Sequence, residues 1–128
     1  MAILNFEEYT HDLSDYELSL VPRFVKSLQT KIGKENAVTA KIIEERMLLV
    51  GQRVSGPRIR KIVNYIRNMG LVEGLVATSS GYYITKDHQE ISAYIESLEG
   101  REGAIRVVRE GMEAYLRRLK NQNYDSKD

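Results

Sequence analysis

The sequence predicts a mainly helical α+β protein: a small helical domain carrying one antiparallel β-hairpin, followed by a long C-terminal helix. Three observations predict it. Several stretches place branched aliphatics at i, i+3, i+4 and i+7 between recognisable helix caps. One stretch, residues 71–85, leaves that period for β-formers around a Ser-Ser-Gly turn. From residue 91 onward an apolar repeat of seven continues almost to the end of the chain.

Composition bounds the possibilities. A chain of 128 residues with 42% apolar and 29% charged side chains fits one globular domain with a real core. It contains no cysteine, which excludes a disulfide framework and a thiolate metal site and fits a reducing compartment, so the cytoplasm is expected. No basic-then-apolar leader opens the sequence and no apolar run approaches the roughly 20 residues that cross a bilayer. Neither export nor a membrane is expected.

Residues 1–13 mix apolar and acidic positions without a period and read as an N-terminal arm. Ser14 and Glu17 have the spacing of a capping box, so a helix is expected over residues 14–31. Tyr16, Leu20, Phe24 and Leu28 would line its buried side, widened by Val21, Val25 and Ile32. Pro22 removes one backbone hydrogen bond and crowds the carbonyl of Leu18, which predicts a kink or a two-piece helix. Residues 33–36 read as a turn, and Ala37-Val38 is too short to stand as a strand alone. Thr39 is a good N-cap for a second helix to about Leu49, with Ile42, Ile43, Met47 and Val50 inward.

The chain is organised around the next helix. Ser55 suits its N-cap, Pro57 its first turn and Gly70 the left-handed residue that ends it. Ile59, Ile62, Val63 and Ile66 form one apolar stripe. At about 100° per residue, Lys61, Asn64 and Asn68 fall opposite that stripe, flanked by Arg58 and Tyr65 on one side and Arg60 and Arg67 on the other. Residues 51–72 contain Arg53, Arg58, Arg60, Lys61 and Arg67 and no acid, a local charge of +5 in a chain of net +1. A solvated face ordinarily mixes its signs; a segregated positive one suits an anionic partner. Two short helices joined by residues 51–54, the second basic, make a helix-turn-helix. The hairpin follows, its small polar tip at Thr78, Ser79 and Ser80 within reach of a backbone phosphate.

This order of helix, short extended segment, helix, helix and hairpin resembles the winged helix-turn-helix family of DNA-binding domains, with residues 14–86 supplying the likeness. The runs Ser-Gly-Pro-Arg-Ile-Arg-Lys-Ile at 55–62 and Ser-Ser-Gly-Tyr-Tyr-Ile at 79–84 look like those of small phage or mobile-element winged-helix proteins. The resemblance implies that residues 55–68 form a recognition helix, 39–49 its supporting helix and 77–82 a wing. The tip here lacks the Arg or Lys that many DNA-binding wings carry.

Asp87 and Glu90 open the last helix, expected over residues 87–120, with 121–128 as a disordered tail. Its heptad seam is Ile91, Tyr94, Leu98, Arg101, Ile105, Val108, Met112, Tyr115 and Leu119, apolar or aromatic at every position but Arg101. Roughly 33 residues span about 50 Å, more than so small a domain can cover, so a second copy is expected to bury the seam as a coiled coil. Gly100, Gly103 and Gly111 argue the other way, each costing about 1 kcal/mol in a helix interior. The competing picture breaks the helix between Gly100 and Gly103.

Nothing points to catalysis. His11 and His88 are far apart and neither sits at a metal-ligand spacing; the adjacent acids Glu7-Glu8 and Glu44-Glu45 point apart on a helix; no phosphate-cradling glycine loop occurs. No cofactor and no metal are expected. The expectation is a non-enzymatic, sequence-specific binder of double-stranded DNA, a homodimer acting as a transcriptional regulator or a phage or plasmid replication factor. Arg58, Lys61, Asn64 and Asn68 would read base edges while Arg53, Arg60 and Arg67 neutralise phosphates and Ser55 caps the helix. The rival is a winged-helix module that docks a partner protein instead.

Overall fold

A computed structural model describes residues 12–126 of the protein. Most of the N-terminal arm lies outside the described residues. Among them are four α-helices and a two-stranded antiparallel hairpin, the mainly helical α+β class expected, and two compact units that divide between Asp87 and His88. In the first unit, α1 (Asp15–Leu28), α2 (Ala40–Leu49) and α3 (Gly56–Asn68) precede β1 (Leu75–Thr78) and β2 (Gly81–Ile84). The second unit is α4 (His88–Ser126). None of the described helices is long and apolar enough to cross a membrane.

Local chemistry sets the helix starts. The Ser14 hydroxyl accepts from the Glu17 N–H while the Glu17 carboxylate accepts from the Ser14 N–H, closing the capping box. Thr39 caps α2 and Ser55 caps α3 by the same side-chain acceptance. Pro22 does not divide α1, which runs as one helix and stops at Leu28, three residues short of the expected end. Its buried stripe is Glu17, Leu20, Val21, Phe24 and Leu28; Tyr16 and Ile32, expected inside, are 38% and 63% exposed.

The core gathers Leu20, Phe24 and Leu28 from α1, Met47 from α2, and Ile59, Ile62, Val63 and Ile66 from α3. The four α3 aliphatics are fully buried, each contributing about 1.5–3 kcal/mol relative to exposure. Val50, expected on the buried side of α2, caps that helix at 60% exposure. It joins Leu48 and Leu49 in an exposed apolar run.

The extended residues too short to be a strand find their partner in the hairpin. Val38 and Tyr82 exchange backbone hydrogen bonds of 3.0 and 2.7 Å, and Ile84 bonds to Lys31 and Gly33, so β2 is paired along both its edges. Gly81, at φ +118°, would place a Cβ 2.5 Å from the Val38 carbonyl oxygen, which fixes glycine at that crossing. Tyr82 packs against the core, and Tyr83, on the other face of β2, is also buried.

The last helix is continuous through Gly100 and Gly103, which rules out the broken alternative. It also extends to Ser126, carrying helix through most of the expected tail. At 39 residues it is about 58 Å long.

Candidate nucleic-acid interface

Helix α3 holds most of the expected contact residues, but they do not share one surface. On one side Arg58 and Lys61 converge on a single carboxylate. Glu17, 3% exposed at the start of α1, accepts from Arg58 Nε at 2.9 Å and from Lys61 Nζ at 3.1 Å. Its Oε1 also accepts the Ser14 N–H at 2.8 Å. Burial pushes the Glu17 pKa up, but the Ser14 N–H and the two cations overcome it and hold the carboxyl at about 2. The Arg58 guanidinium also lies 5.3 Å from the Tyr16 ring centroid, and the Tyr16 hydroxyl donates to Gln52 Oε1.

This arrangement leaves 41% of the Arg58 side chain and 28% of Lys61 exposed. The pair reaches solvent as a fixed group of reduced charge rather than as two mobile cations.

One turn on from Lys61, Asn64 departs from the expected exposure. It is 5% exposed, and its Oδ1 accepts from Arg67 Nη1 at 3.0 Å. Burial on α3 thus extends beyond the four-aliphatic stripe. Asn64 was expected on the exposed face as a reader of base edges; the structure buries its side chain, which accepts from Arg67 instead of facing solvent.

Arg53, just before α3, is exposed, as is Asn68 at its end; Arg60 is half-buried near Gly56. Neither Arg53 nor Arg60 enters a salt bridge among the described residues. Ser55 spends its hydroxyl on the Arg58 N–H at 3.4 Å, a capping role. At the hairpin tip Thr78 and Ser79 are exposed and Ser80 half-buried. The Thr78 hydroxyl accepts the Ser80 N–H at 3.1 Å and so holds the turn.

Glu17 is the residue that sequence reasoning missed, although the signal was present. Positions 17, 20, 21, 24 and 28 fall on one helical stripe, and an acid at the head of an apolar stripe requires a cationic partner when buried. The capping box accounted for Glu17 locally and hid that requirement.

A second surface feature lies between α1 and α2. There a cavity of about 300 Å³ is floored by Phe24, Leu28, Ile43 and Met47 and rimmed by Arg23, Lys31 and Arg46, with no acid in its lining. On α4 the expected seam is open from its middle onward: Val108 and Met112 are 62% and 61% exposed, with Tyr115 and Leu119 also exposed. Ile91, Tyr94, Leu98 and Ile105 are partly covered. His88 is exposed at the head of α4, and His11 lies outside the described residues. No cluster of metal-ligating side chains occurs among the described residues.

No family model, no curated protein and no solved structure matches the chain.

Proposed function

We propose that the protein binds double-stranded DNA through α3, as a non-enzymatic winged helix-turn-helix protein that works as a homodimer in transcriptional regulation or replication. The observation that carries this reading is the charge left over around α3. One carboxylate serves two cations, Arg58 and Lys61, while Arg53 and Arg60 have no acid partner among the described residues. Arg53, Arg60 and Arg67 would meet phosphates, and the exposed parts of Arg58, Lys61 and Asn68 would face base edges. Holding Arg58 and Lys61 against Glu17 removes rotamer freedom before binding, which lowers the cost of ordering them on a duplex. Pairing through the α4 seam would double the contacts, raising the affinity of a domain with few cations.

Arg53 and Arg60 make the clean test, because removing Arg58 or Lys61 also strips a buried carboxylate of its counter-charge. Binding to a random duplex should weaken as salt rises, with a log–log slope of about −0.9 per phosphate neutralised. The double variant Arg53→Ala, Arg60→Ala should reduce that slope by about two while leaving the fold intact. No binding at low salt would sink the reading.

The α1–α2 cavity and the exposed Leu48, Leu49 and Val50 favour a second reading, docking of a partner protein through an apolar, acid-bearing segment. Affinity for such a segment in a chain that ignores DNA would select it.

A further inference from the structure

We infer that α4 pairs with α4 of a second copy in antiparallel orientation, making a rod that holds two DNA-binding units at its opposite ends. This rests on the homodimer reading above and adds its direction, which the repeat alone leaves open. Three observations carry it.

The first is charge. Between His88 and Glu102 the helix carries Glu90, Glu96, Glu99 and Glu102 against Arg101 alone. Between Gly103 and Lys120 the balance reverses, with Arg106, Arg109, Arg117, Arg118 and Lys120 against Glu110 and Glu113. A parallel pair sets acidic half on acidic half and basic half on basic half. An antiparallel pair sets each half against its complement.

The second is the seam. In a parallel, in-register pair the two Arg101 side chains meet in one layer of an otherwise apolar interface. The antiparallel register that pairs the seam from Tyr94 to Leu119 places Ile105 opposite Val108, Leu98 opposite Tyr115 and Arg101 opposite Met112, whose flexible side chain can lie along the arginine stem. The positions beside the seam then agree: Glu102 faces Arg109 of the other copy, and the exposed Ile95 faces the exposed Leu116. Arg109 already engages Glu113 of its own helix at 3.0 Å, so it is oriented along the helix surface rather than buried in it.

The third is the glycines. Gly100, Gly103 and Gly111 all fall off the a and d positions, and a Cβ at any of them would meet nothing within 4 Å. They interrupt neither the helix nor the seam.

The direction has a functional consequence. Each DNA-binding unit joins α4 at His88, and in this register the two attachment points are separated by about 55 Å at 1.5 Å per residue. A side-by-side dimer reading half-sites one turn apart needs a spacing of about 34 Å. The antiparallel rod therefore suits two separate duplex segments, bridged, better than one compact inverted repeat.

The chain has no cysteine, so disulfide trapping reads direction without background. The wild-type chain should elute with twice its 14.7 kDa mass in light-scattering chromatography at micromolar concentration. A mixture of Leu98→Cys and Tyr115→Cys chains should form the mixed disulfide under mild oxidation, and neither variant alone should form a disulfide with itself. Charge reversal gives an independent check: Glu102→Arg and Arg109→Glu should each weaken the dimer several-fold, and the double variant should restore it. A monomer mass at all concentrations would overturn the pairing itself. A dimer in which Leu98→Cys traps itself would leave the pairing standing and overturn its direction. Neither result depends on whether the chain binds DNA.

Discussion

Helices α3 and α4 carry the same kind of apolar pattern and meet opposite fates. The stripe of α3 is fully buried, whereas the α4 seam is exposed from Val108 onward, with Val108 and Met112 more than half exposed. A periodic pattern states which side of a helix is apolar and nothing about what covers it. In α3 the cover comes from α1 and α2 of the same chain. In α4 the second half of the seam is exposed among the described residues, and a second copy is the proposed cover.

The largest effect that can test this difference is truncation of one side chain on each helix. Ile62→Ala should cost about 2–5 kcal/mol of stability in urea unfolding, since it opens a void in a closed core. Met112→Ala should leave the unfolding of the first unit unchanged and show its effect in the concentration dependence of the proposed dimer. Equal losses at both positions would mean that the α4 seam is buried within its own chain.

A polar contrast comes next. The two ion pairs of α3 centre on a buried acid, while the Arg109–Glu113 pair of α4 lies open to water, where such pairs contribute little. Depression of the Glu17 pKa from 4.5 to about 2 corresponds to roughly 3 kcal/mol, trimmed toward 2 by solvent at half-exposed Arg58. Because the folded value lies below the unfolded one, this stability is fully present above pH 4.5 and is lost as the pH falls toward 2. Glu17→Gln should therefore unfold at lower urea at neutral pH, and its deficit against the wild type should shrink across that window. A deficit that stays constant with pH would show that the carboxylate charge contributes nothing. Glu113→Gln should leave the urea midpoint unchanged.

These two helices also show what the sequence could reveal. The caps at Ser14, Thr39 and Ser55, the core aliphatics of α3 and the hairpin were legible because each rests on neighbours within a few residues of the chain. The pairing of Val38 with Tyr82 was not, since its two residues meet only once the fold has formed. The candidate site divided along the same line. The concentration of cations near residue 60 was visible, but the carboxylate that pins two of them lies 41 and 44 residues away. Asn64 was misplaced because a helical projection assumes one buried face, and this side chain is buried outside it.

The smallest effect uses glycine to make the same comparison at single-atom scale. Gly81 sits at φ +118° with the Val38 carbonyl where a methyl would go, so Gly81→Ala forces either the turn or the Val38–Tyr82 pairing to shift. A loss of about 1–3 kcal/mol is expected, read as a lower melting temperature of the first unit. Gly103 is helical and faces open space, so Gly103→Ala adds only a methyl to a helix that lacks one and should gain about 1 kcal/mol. That gain should appear as greater helicity of α4 and, because Gly103 lies off the seam, without change in the mass of the assembled protein. Were Gly103→Ala instead to weaken the dimer, a partner backbone would have to approach there, and the interface would run along a different face of α4 from the one that Leu98, Ile105 and Met112 define.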